Sequence, residues 1–184
     1  MRLGSVWREL PAPNRRWLVV NSLLVTMAIN VIVNAAIAWL GVKDQDTVTM
    51  WGVPLAETSI FWNVVGTLFL LPLITCVLTT TAIRRDVRRS VLAPLDRLRP
   101  THPRLAALPL PRWRRGALLG AMVAIVLAPP ILLLLVVAGV SDLSRDQFVA
   151  CQTVFAVLLG VLVTPPIALF AMADPPVLRD DPAP

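Results

Sequence analysis

The sequence predicts an all-α integral membrane protein of four transmembrane helices, arranged as two tandem parallel-repeat helical hairpins with both termini cytoplasmic. Three observations lead there. Apolar residues gather into four blocks, 17–40, 59–83, 116–140 and 147–173, and none of them contains an Asp, Glu, Lys, Arg or His. Arginines crowd the segments at one end of these blocks and acidic residues those at the other. The second half of the chain also echoes the first.

The chain of 184 residues is 57% hydrophobic and only 15% charged, against about 25% charged in soluble domains. Its mean hydropathy of +0.73 is more than a water-soluble fold could hide. The blocks are 24 to 27 residues long, enough to cross a hydrocarbon core about 30 Å thick. Inside lipid the backbone must satisfy its own hydrogen bonds, and segments of this length do so as helices.

Orientation follows from the arginines. Residues 1–16, read as a cytoplasmic segment, hold Arg2, Arg8, Arg15 and Arg16 against Glu9. Residues 84–115, a basic, proline-rich and partly interfacial linker, hold ten arginines against Asp86 and Asp96. The other two connections are acidic: Lys43, Asp44, Asp46 and Glu57 in one, Asp142, Arg145 and Asp146 in the other. Basic flanks stay inside, so the expected location is the plasma (inner) membrane, multi-pass. The first block is longer than a cleaved signal's apolar core and is expected to remain as an anchor. The net charge of +6 is therefore a topology signal, and no nucleic-acid partner is expected.

The first hairpin spans 17–83. Its first helix carries Ser22, Thr26, Asn30, Asn34 and Ala38 at every fourth position, one row on one helical face. Asn63, Thr67, Thr75 and Thr79 form a comparable row on the second helix. Two roles suit these rows. Polar side chains hold helices together in membranes through hydrogen bonds, each contributing about 0.6 kcal/mol on average. Alternatively, they line a hydrated path with Asn30 and Asn34 touching a solute. Helix contact, with the asparagine amides bonding to a neighbouring helix, is the preferred expectation.

In the linker, Val87, Val91, Leu95 and Leu98 fall at helical spacing among arginines. The second helix is expected to continue as an amphipathic segment in the headgroup layer, bent or ended by Pro94. Arg84, Arg85, Arg88, Arg89, Arg112, Arg114 and Arg115 are expected on lipid phosphates, making anionic headgroups one partner. Trp17 and Trp113 read as interfacial anchors, and His102 as a solvated loop residue.

The second hairpin spans 116–173. Gly116, Gly120, Ala124 and Ala128 make a small-residue row, the kind of surface that lets another backbone approach. Pro129 and Pro130 interrupt the third helix, and Pro165 and Pro166 follow Thr164 in the fourth. Each proline removes a donor and clashes with the preceding turn, so kinks are expected. Thr164 is one candidate to bond a freed carbonyl. A broken helix around a substrate site is the functional alternative to a static kink. The remaining residues, 174–184, read as a disordered acidic tail.

Sliding the chain by 94 residues places Phe61 on Phe155, Gly66 on Gly160 and Pro72 on Pro166. A shift of 98 or 99 suits the first helix of each half. Helices one and three would both run outward, so the repeats would be parallel. Cys76 and Cys151 should differ in depth by about 20 Å, too far for a disulfide, and both read as buried, inert thiols.

No catalytic or cofactor signature stands out: CxxC, HExxH, GxGxxG and GxxxxGK[ST] are all missing from the sequence. General acid–base work needs titratable groups, and the apolar blocks hold none, so no enzyme, cofactor or metal is expected. The expected function is that of a non-enzymatic subunit or accessory/assembly factor acting through helix–helix association, as a homo-oligomer or in a larger membrane complex. The alternative is a small oligomeric channel or transporter for a neutral or small solute. An enzyme of lipid or isoprenoid chemistry would need an acidic metal-binding cluster that the sequence lacks.

Overall fold

A computed structural model describes residues 10–53, 57–95 and 111–174. The side chains of residues 21–23 and 26 lie outside that description, and so therefore do the expectations for Ser22 and Thr26, for His102 and for the tail beyond Asp174. The chain is mostly helical, and three of its helices are long and apolar enough to cross a membrane.

The first helical stretch comes in three contiguous pieces: α1 (Ala12–Trp17), a π-helix (Leu18–Val25) and α2 (Thr26–Val42). A proline in its first turn suits a position whose backbone donor has no helical partner. Helical structure thus begins five residues before the apolar block that starts at Trp17. Four-residue spacing keeps one face only under i→i+4 bonding, and π-helical bonding is i→i+5. The polar row is therefore continuous only along α2.

A three-residue strand, β1 (Thr47–Thr49), leads to α3 (Ile60–Arg88). Ser59 caps α3 by accepting from Trp62 N at 3.4 Å, satisfying one of the donors a helix start leaves open. The expected amphipathic extension does not form. Helix α3 ends at Arg88, Ser90 takes a positive φ of 56°, and the chain turns back. Leu92 and Leu95 then pack in a small core with Leu10, Trp17, Leu18, Ile83 and Met172. Leu95 N donates to Met172 O at 3.1 Å. Leu92 is buried there by the chain itself and Leu95 partly so, whereas Val91 stays exposed.

Helix α4 spans Arg112–Val137. It stops at Gly139, whose φ of 73° puts it in the left-handed region, where a side chain would strain the backbone. Strand β2 (Asp142–Ser144) pairs antiparallel with β1, Val48 opposite Leu143. Helix α5 (Arg145–Met172) follows at once, opened by a capping box between Ser144 and Gln147, in which two orphan donors are satisfied reciprocally.

Helices α3, α4 and α5 run unbroken through Pro72, Pro129–Pro130 and Pro165–Pro166. The helices are thus not interrupted at their prolines, which leaves the broken-helix alternative without support. Thr164 Oγ1 does bond a carbonyl, that of Gly160 at 2.6 Å, but Pro165 and Pro166 free those of residues 161 and 162.

The helices stand in a row: α2 packs on α5, α5 on α3, and α3 on α4. Exchanging the two hairpins maps this row onto itself reversed. The main core lies along it, with Val42, Val48, Leu68, Cys76 and Ala156 fully buried. Gly116 and Gly120 bring α4 onto the backbone of α3; a Cβ on Gly116 would sit 2.9 Å from Leu73 O, and one on Gly120 would collide with Phe69 O. Ala128 is buried and Ala124 partly so, so the small-residue row meets a helix of its own chain. Of the two cysteines, Cys76 is buried as expected, whereas Cys151 is exposed.

Candidate functional site

Neighbours in sequence, α2 and α3 do not pack along their length. At one end Thr58 Oγ1 donates to Gly41 O at 2.9 Å. At the other, Trp17 Nε1 donates to Asp86 Oδ2 at 2.9 Å. Between these ties the helices part, and a groove of about 800 Å³ opens between them. Its floor is α5, whose Gln152 reaches it; its lips are apolar, with Ile29, Ile37, Leu70 and Leu78 among them.

The two predicted polar rows meet across this groove. Asn30 and Asn34 line it from α2, and Asn63, Thr67, Thr75 and Thr79 from α3. They do not bond to each other as expected of helix glue. Asn34 Nδ2 donates to Asn30 O at 3.0 Å and to Asn30 Oδ1 at 3.2 Å, both within α2. That second bond fixes the Asn30 amide with its nitrogen turned away. Asn30 Nδ2 and Asn63 Oδ1 are buried and have no partner. A buried, unmade hydrogen bond costs about 1–3 kcal/mol, and both atoms lie beneath the lining's surface rather than open to the groove.

One cross-helix bond does form, from a residue the apolar block concealed. Gln152 Nε2 donates to Thr67 Oγ1 at 2.8 Å, joining α5 to α3. Gly66 also lines the groove, and a Cβ there would meet nothing within 4 Å. Unlike Gly116 and Gly120, it is not required by packing inside the chain. The sequence signals were present: a carboxamide inside an apolar run, and a glycine one position before Thr67.

The other path candidates lie elsewhere. Pro129, Pro130 and Pro166 are exposed, Pro165 is partly buried and Thr164 is buried; none of them lines the groove.

The arginines divide into two sets. Arg115 Nη2 meets Asp174 Oδ1 at 2.6 Å, and Arg84 Nη2 meets Asp174 Oδ2 at 2.7 Å. Arg115 and Asp174 are fully buried. These two arginines, expected on lipid phosphates, are instead turned inward onto a carboxylate assigned to the tail, because a buried charge needs an opposite partner. Arg112 Nη1 donates to Thr81 Oγ1 at 2.9 Å, and the Arg114 guanidinium lies 5.0 Å from the Trp113 ring centroid. Arg85, Arg88, Arg89 and Arg114 are exposed. Trp113 is exposed as an anchor would be, whereas Trp17 is buried. Asn14, also fully buried, clamps the backbone of Ala93, donating to its carbonyl at 2.8 Å and accepting from its amide at 3.1 Å.

Among the described residues no three His, Cys, Asp or Glu side chains gather to hold a metal. No protein family, curated protein or solved structure matches the chain.

Proposed function

We propose that this chain is a non-enzymatic, four-span membrane subunit that works by helix–helix association, with the groove between α2 and α3 as its contact surface. The observation that carries this reading is the groove itself, a set of amide and hydroxyl side chains from Asn30, Asn34 and Asn63 to Thr79 between apolar lips. Apolar lips suit a surrounding of lipid, and the polar lining suits an occupant with polar groups of its own.

The fourth span in this reading is the stretch from Trp17 to Val42, whose Val19, Leu24, Ile29 and Ile32 are exposed. Exposed aliphatic side chains on this scale suit lipid contact. With the arginines inside, the termini and linker are cytoplasmic and the β-ladder is outside, in the plasma membrane. The reversible row of helices and the pairing of β1 with β2, each the strand after the first helix of its hairpin, favour two parallel repeats. Arg85, Arg89 and Arg114 are exposed and suit anionic headgroups.

Filling the groove tests the reading. Gly66→Phe points into empty space, so the isolated chain should keep its thermal stability. In native gels of mild-detergent membrane extracts, it should run as a smaller species than the unaltered protein. Ile125→Phe, on a surface 74% exposed, should change nothing. Identical migration of all three would remove the reading.

A solute path is the second reading, favoured by the reach of the groove from Trp17 and Asp86 to Trp62. Facing grooves of two copies would enclose such a path. Solute flux through proteoliposomes that Asn34→Leu alters, in protein that still assembles, would put this reading in place of the first.

A further inference from the structure

We propose that Trp39, Trp51 and Trp62 form a collar that seats the first hairpin in the outer interfacial layer of the membrane, with the loop after β1 folded down among the lipid headgroups. This rests on the four-span reading and adds a lipid-contacting surface to it.

The three tryptophans share a level. Trp39 stands three residues before Val42, the last of α2, and Trp62 two residues after Ile60, the first of α3. At 1.5 Å per residue, both lie about 3–5 Å inside their helix ends, and the Thr58–Gly41 bond holds those ends together. The loop is drawn down to the same level. Met50 O accepts from Phe61 N at 3.1 Å, and Gly52 O accepts from Trp62 Nε1 at 3.2 Å. A Cβ on Gly52 would lie 3.0 Å from that of Ser59, so the loop backbone touches the start of the helix. Residues 50–53 therefore lie alongside the first turn of α3 and do not project away from the bundle.

What the loop exposes at that level is apolar. Trp51 is 63% exposed and Val53 61%, on backbone that these bonds hold in place, and the Trp51 ring leans on Phe61 with centroids 5.2 Å apart. No charged residue occurs between Asp46 and Glu57. In water such a surface would cost free energy in proportion to its apolar area. The headgroup boundary suits it, because an indole presents an apolar ring and a polar N–H together. Among the described residues neither Trp39 nor Trp51 donates its indole N–H, so both can bond the ester carbonyls and water of that layer.

Direction favours a layer over a protein partner. Trp62 lines the groove, whereas Trp39, exposed on α2, does not. The two face different ways at one level. A single protein partner would meet one face, but the interfacial layer surrounds them all. The collar is one-sided: at the outer end of α4 the exposed side chains are the aliphatic Val136 and Val137.

Fluorescence quenching of the full-length protein in phosphatidylcholine vesicles, with bromine near the head or near the tail of the acyl chains, provides the test. Trp51→Phe and Trp39→Phe each keep an aromatic ring and remove one indole's emission. The emission so removed should be quenched at least about twofold more by shallow bromines than by deep ones, as a place in the aromatic belt requires. Ile32→Trp, about 15 Å inside α2, adds an indole that deep bromines should quench more. Emission from Trp51 or Trp39 that neither lipid quenches, or that deep bromines quench more, overturns the collar. If the Ile32→Trp indole keeps its deep signature in that case, the collar alone falls. If neither lipid quenches that indole, the first helix does not span and the four-span reading falls as well.

Discussion

Trp17 and Asp86 close one mouth of the groove: the indole nitrogen donates to the carboxylate at 2.9 Å, across 69 residues of chain. A hydrogen bond to a charged group contributes about 1.5–3 kcal/mol. Trp17→Phe should therefore lower the unfolding free energy in detergent by about that amount. Trp113→Phe, at an exposed ring, should change it by less than about 0.5 kcal/mol. Equal effects in denaturant titrations would mean that the indole–carboxylate bond contributes nothing.

Two glycines on facing helices should respond in opposite directions to one methyl group. Gly120→Ala drives a Cβ into the Phe69 carbonyl and should destabilise by about 1–3 kcal/mol. Gly66→Ala meets open space and should stabilise by about 0.5–1 kcal/mol through helix propensity. Thermal unfolding of the purified variants reads both signs.

Asp174 holds Arg84 and Arg115 together. Asp174→Asn keeps the shape but removes the charge that Arg115, 1% exposed, meets at 2.6 Å. Breaking a buried pair from one side costs about 3–5 kcal/mol, so the variant should unfold at markedly lower denaturant. A loss under about 1 kcal/mol would show that water reaches the pair.

Three long helices were legible because each is an apolar run free of charge and long enough to cross a membrane, whereas the first block is split by a π-helix. The polar rows were legible too, as rows. Their partners were not, since periodicity assigns a residue to a face without saying which helix that face meets. A sequence reading pairs α2 with α3 because they are consecutive, whereas α5 lies against both of them. Arg115 and Asp174 were misread for a related reason: each stands at the edge of its block and looks solvated until the fold brings the edges together. Gln152 is hidden in the sequence because a carboxamide carries no charge to interrupt an apolar run. The π-helix at Leu18–Val25 leaves no signal in composition.

The cysteines offer a separate check. A maleimide added to folded protein in detergent should label Cys151, which is exposed, and spare Cys76, which is buried, until denaturant is added. Mass spectrometry distinguishes the two sites. Early labelling of Cys76 would mean that α3 and α4 are not packed as described.

Orientation can be read with the same chemistry. In intact cells Thr101→Cys should resist an impermeant thiol reagent until the membrane is opened. Labelling from outside would invert the topology.

The stretch from α1 to α2 resembles a beam clamped at both ends. One clamp is the Asn14–Ala93 and Trp17–Asp86 bonding; the other is Gly41 on Thr58 together with the Lys43 carbonyl on Arg145. On the side facing α3 nothing supports the span between them. Its other side rests along α5, so the opening is kept by two clamps and a floor, with no contact across it needed to hold its width.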